Sequence, residues 1–63
     1  MEINKAIQAY SDYCEQNNLI YQEPDPKFCT SYGNHFLLAN EDTELAVVDF
    51  DEKGEAVSVV SVE

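Results

Sequence analysis

The sequence predicts an α+β fold, with an N-terminal helix packed on a small antiparallel β-meander of three to four strands. Three observations predict it. Apolar residues recur at helical spacing over residues 3 to 14. A valine-rich stretch follows residue 44. Turn-forming residues punctuate the chain between and after them. The chain of 63 residues, 1–63, reads as one small acidic domain. Its hydrophobic fraction of 44% is enough for one core, which argues against wholesale disorder.

The helix is expected over about residues 2 to 17. Ile3, Ile7, Tyr10 and Cys14 form one stripe, with Ala6 and Tyr13 beside it. Lys5, Gln8, Asp12, Glu15 and Gln16 lie largely off that stripe. Asn17-Asn18 supplies the stop, because Asn tolerates the left-handed conformation beyond a helix end. Leu19, Ile20 and Tyr21 then read as a short strand closed by Pro24. "EPDPKFCTSYGNH" reads as a long loop that Phe28, Cys29 and Tyr32 could pin to the core. "HFLLAN", "ELAVVDF" and "EAVSVVSV" are the meander strands, with "EDT" and "DEKG" between them.

"DFDEKGEA" opens like a calcium loop, with Asp49, Asp51 and Gly54 at the first, third and sixth positions. The fifth position is Lys53 and the twelfth is Val60, neither of which can ligate calcium. Asp51 to Gly54 instead fit a type I turn followed by a left-handed glycine. That turn predicts pairing of Phe50 with Ala56, Val48 with Ser58, and Ala46 with Val60. Leu45, Val47, Val57 and Val59 then fall on the opposite face. Both sheet faces are therefore apolar, while one helix covers only one. The 24–34 loop, a second copy or a partner is expected to cover the other.

Net charge is −10, from thirteen acids against three lysines, with no arginine. Such a chain is repelled by nucleic acid and by anionic membrane. No guanidinium is available to grip phosphate. The opening residues do not read as a signal peptide, and no stretch is apolar enough to span a membrane. The expected location is the cytoplasm of a bacterial cell or a phage-infected host, with Cys14 and Cys29 reduced.

Chemistry-bearing residues are few. His35 is the single histidine, and Cys29 precedes it by six positions without a catalytic pattern around them. Cys14, Cys29 and His35 are too few for a structural zinc site. The sequence predicts no enzyme, no metal and no cofactor. Seven acids crowd residues 41 to 55: Glu41, Asp42, Glu44, Asp49, Asp51, Glu52 and Glu55. Like charges gathered on one small surface cost stability, which suggests a cationic counterpart. Tyr32, in the loop, joins them as the aromatic contact.

The expected function is a protein–protein interaction module for a basic protein surface. Small size, strong negative charge and absence of arginine are similar in character to phage-encoded inhibitors of host defence nucleases. That likeness implies an inhibitor mimicking nucleic acid, with a nucleic-acid-binding protein as its target. A structural or regulatory subunit that dimerises or docks through the apolar sheet face is the other expectation.

Overall fold

In the computed structural model, which describes residues 3–62, one helix crosses one face of a four-stranded antiparallel sheet. Helix α1 spans Ile3–Gln16. The strands are β1, Thr30–Tyr32; β2, His35–Ala39; β3, Glu44–Phe50; and β4, Ala56–Ser61. They lie side by side in chain order. The α+β expectation holds, and the strand number is four.

Helix α1 buries Ala6, Tyr10 and Cys14, with Ile3, Ile7 and Ala9 half-buried beside them. The stripe therefore centres on Ala6-Tyr10-Cys14 rather than on the isoleucines. Ala6 is fully enclosed, and its small side chain suits a close approach of helix to sheet. The helix stops at the asparagines, as their chemistry predicts. Asn18 takes φ 56°, and the Leu19 N–H donates to the Cys14 carbonyl at 2.9 Å. This is the six-to-one bond of a Schellman end. The Asn17 side-chain amide adds a bond to the Tyr13 carbonyl at 2.9 Å.

Leu19, Ile20 and Tyr21 do not form a strand, contrary to the sequence expectation. The reversal at Asn18 directs them away from the sheet, and Ile20 stays 80% exposed. Tyr21 packs its ring on Tyr10 instead, with centroids 5.3 Å apart. The fourth strand comes from within the expected loop. Asp25 caps a short 3-10 turn, Pro26–Phe28, and its N–H donates to the Ala39 carbonyl at 2.9 Å. That anchor delivers Thr30–Tyr32 to the free edge of β2. Gly33 and Asn34 make the tight connection, and Gly33 takes φ 60° at its first position. Cys29 packs against the helix-side core. Phe28 and Tyr32, expected with Cys29 to pin the loop to the core, stay exposed.

Two irregularities set the side-chain faces. Opposite β2, Leu38 pairs with Ala46 and Ala39 with Glu44, leaving Leu45 as an extra residue. The bulge turns Leu45 inward beside Ala46, and both are buried. Opposite β3, Phe50 pairs with Ala56 but Asp49 pairs with Ser58, leaving Val57 as the extra residue. Val48 therefore pairs with Val59, Val47 with Val60 and Ala46 with Ser61. The expected pairs Val48–Ser58 and Ala46–Val60 are corrected by one position. Val59 moves to the helix side, and Val60 to the bare side.

The core is one cluster between helix and sheet: Phe36, Leu38, Leu45, Ala46, Val48 and Phe50 beneath Ala6, Tyr10 and Cys14. Phe36 and Phe50 meet edge to face at 5.4 Å. Full burial of each large aliphatic side chain contributes about 1.5–3 kcal/mol. Both cysteines are free thiols. The described residues form no helix long and apolar enough to cross a membrane.

Candidate functional site

The bare face of the sheet is the candidate site. Side chains alternate across a sheet, and cross-strand partners share a face. The pairs Tyr32–His35, His35–Asp49 and Asp49–Ser58 therefore form one row across all four strands. The pairs Thr30–Leu37, Leu37–Val47 and Val47–Val60 form the next row. Helix α1 lies on the other side, over the row of Phe36, Val48 and Val59. Among the described residues no helix or strand covers the bare side. Tyr32 is 87% exposed and Val60 57% exposed, while Leu37 and Val47 are half-buried by their neighbours.

At the centre of the polar row, His35 Nδ1 lies 2.5 Å from Asp49 Oδ1. Among the described residues this is the one contact between a carboxylate and a basic side chain. Both groups are solvated, so the pair is a surface feature of small energy. No pocket forms among the described residues, and no three metal-ligating side chains come together there.

The acids that crowd one stretch of sequence separate in space. Glu41 and Asp42 lie in the β2–β3 connection, and Glu44 opens β3. Asp51, Glu52 and Glu55 lie in the β3–β4 connection at the other end. The six residues 45–50 of β3 stand between the groups, roughly 20 Å at about 3.3 Å per residue. Tyr32 and Asp49 lie at the β3–β4 end, on the bare face. The structure thus joins Tyr32 and Asp49 to Asp51, Glu52 and Glu55. It places Glu41, Asp42 and Glu44 apart from them.

The acids also differ in what they do locally. The Asp51 carboxylate accepts the N–H groups of Lys53 and Glu55, each at 2.9 Å. The Asp51 N–H donates to the Glu55 carbonyl at 2.9 Å, and Gly54 takes φ 84°. Asp51 is therefore a turn-forming residue, as the hairpin reading of "DEKG" predicts. Glu52 and Glu55 remain exposed, with Lys53 beside them. Lys5 reaches this end from the helix, donating to the Gly54 carbonyl at 3.3 Å. In the other connection Asn40 performs the turn role, accepting from Asp42 and Thr43 N–H groups at 2.9 and 3.0 Å. Glu41, Asp42 and Glu44 stay exposed.

Sequence reasoning missed Leu37, Val60 and His35 as members of the face. The alternation in "HFLLA" carried the signal for Leu37 and His35. Val60 was hidden by the bulge at Val57. Away from this face, burial raises the Tyr21 phenol above the usual tyrosine range, with smaller contributions from Glu23 and Cys14. No protein-family model, curated protein or solved structure matches this chain.

Proposed function

We propose that this protein is a non-enzymatic binding module for a basic protein surface, acting in the cytoplasm of a bacterial cell or phage-infected host. The bare sheet face carries the reading. It offers an apolar strip of Leu37, Val47 and Val60, edged by Tyr32 and Thr30. Exposed carboxylates flank that strip on both sides, at the two strand ends of the face. Aromatic and aliphatic centres with charged rims are the general anatomy of protein interfaces. The net charge of −10 selects a cationic partner and steers its approach.

An inhibitor that mimics nucleic acid is the narrower form of this reading. The split of the acids into two groups supports the general form better, because a mimic needs a more continuous row of charge. The bare apolar strip also favours a second reading, a subunit that dimerises or docks through it.

The test immobilises the protein and elutes bound host proteins with a salt gradient. Two variants accompany it: E41Q/D42N/E44Q and E52Q/E55Q. A basic protein released by moderate salt and retained poorly by both variants is the expected result. Retention unchanged by salt and by both variants would sink the charge-driven reading and leave the apolar one.

A further inference from the structure

Among the described residues strand β4 is a sheet edge of unusual composition, with no strand beyond it. It is the last strand of the sheet, with β3 on one side only. Its sequence, "AVSVVS", contains no charge and no proline. Edge strands are ordinarily blunted by Lys, Pro or distortion, because their unpaired N–H and C=O groups recruit other strands. Here the Val57 bulge distorts only the beginning of the strand.

The hydrogen-bond phase identifies which groups point outward. The Val62 N–H donates to the Leu45 carbonyl at 3.0 Å. The Asp51 N–H donates to the Glu55 carbonyl, and the Phe50 N–H turns the other way, to the Asn34 carbonyl at 3.0 Å. Bonded and non-bonded pairs alternate in an antiparallel ladder. Val47–Val60 is then a bonded pair and Val48–Val59 is not. Val59 therefore turns its N–H and C=O away from β3, toward the free edge.

We propose that the β4 edge accepts an extended segment of another protein as a fifth strand, and that lysine or arginine flanks that segment. The proposal rests on the basic-partner reading and names the element through which the partner docks. Main-chain bonds to an edge supply affinity in such complexes, and alternate side chains supply specificity. Val57 and Val60 are exposed there to receive apolar side chains. Charge selects the occupant. Glu55 precedes the strand at one end, and Glu44, exposed at the start of β3, stands beside the other. Two copies pairing through this edge would bring together chains of −10 each, and antiparallel pairing about Val59 sets the Glu55 end of one against the Glu44 end of the other. Like charges repel in that arrangement, whereas a cationic flank is attracted at both ends.

The test uses the full chain, made by chemical synthesis, and a short capped peptide of alternating Thr and Val with lysine flanks. The same core with glutamate flanks is the control. Amide NMR should show the lysine peptide shifting residues 58–61, with cross-strand contacts at Val59. The glutamate peptide should leave them unmoved. An N-methyl group on the Val59 nitrogen removes one edge donor and no bond to β3. It should weaken the lysine peptide about fivefold or more. Ser58→Lys, at an exposed position, should weaken it as well and improve binding of the glutamate peptide. Peptide shifts confined to residues 51–55, or unaffected by both changes, would overturn the edge proposal. So would a concentration-dependent dimer in sedimentation that the N-methyl group abolishes, which would make a second copy the occupant. If the edge fails while E41Q/D42N/E44Q still releases a basic partner, the binding-module reading survives without it. If neither acidic variant matters yet the lysine peptide binds the edge, the rim acids fail and the edge stands.

Discussion

His35 and Asp49 face each other across β2 and β3, with Nδ1 and Oδ1 2.5 Å apart on the bare side of the sheet. The pair lies between Tyr32 and Ser58 in one cross-strand row. It marks where the acidic β3–β4 end meets the uncovered face. Both partners are solvated, so their attraction is screened and small.

The pair should therefore contribute little to folding. A double-mutant cycle with His35→Ala and Asp49→Asn should give a coupling below about 1 kcal/mol in urea unfolding. A coupling of several kcal/mol would mean that the contact is structurally essential and not a surface feature.

The β3 bulge makes a sharper prediction. Leu45 and Val47 look equivalent in the alternation, yet Leu45 is buried in the helix-side core and Val47 lies on the bare face. Leu45→Ala should cost about 2–5 kcal/mol by removing core volume. A domain of this size has only a few kcal/mol in total, at about 0.05–0.15 kcal/mol per residue. Leu45→Ala should thus leave much of the chain unfolded at room temperature. Val47→Ala should cost less than half as much in the same denaturation experiment. Equal costs would contradict the bulge.

Asp51 tests the distinction between turn acids and free acids. Its carboxylate accepts two backbone N–H groups. Asp51→Ala should destabilise by about 1 kcal/mol, in line with losing a side-chain cap. Asp51→Asn keeps an oxygen acceptor and should remain closer to the parent. Glu52→Gln, at an exposed position without a turn role, should stay within about 0.5 kcal/mol of it. Thermal unfolding of the three variants decides the order.

Tyr21 predicts the alkaline behaviour. Burial raises its phenol above the usual range, assisted by Glu23 and Cys14. Below the ordinary tyrosine pKa both folded and unfolded chains hold the proton, and this contribution to stability is complete. Above it the unfolded chain ionises first, so stability falls as pH rises through the folded value. Phenolate absorbance of the parent minus that of Tyr21→Phe should give a step later than that of a free tyrosine. A step at or below the ordinary value, about 10, would show that Tyr21 is not shielded against Tyr10.

Much of the fold was legible because it rests on local periodicity. Ile3, Ile7, Tyr10 and Cys14 repeat at helical spacing, and α1 turns that side to the sheet, with Ala6, Tyr10 and Cys14 buried and the isoleucines half-buried at its margin. Asn18 ends the helix by tolerating positive φ, a property of the residue itself. "DEKG" makes its hairpin for the same kind of reason, with Gly54 left-handed and Asp51 binding the turn's own amides. Leu19-Ile20-Tyr21 misled because strand propensity says nothing about whether an edge is within reach. β1 was hidden for the converse reason. "TSY" has modest apolar content, and it is a strand because Asp25 is tied to Ala39 and the chain must then run beside β2.

The sequence by itself determined the helix, its stop, the order of the last three strands and the turn at Gly54. All of these depend on interactions within a few residues. Only the tertiary structure decided which valines face the core, because one extra residue at Leu45 and another at Val57 shift the alternation beyond them. The bare side therefore carries Leu37, Val47 and Val60, and Val59 lies under the helix. The tertiary structure also divided the acids. Residues 41 to 55 are neighbours along the chain, but a strand runs between their two groups. An extended strand is the backbone form that carries sequence neighbours farthest apart, so charge crowded in the sequence becomes charge at both ends of a face.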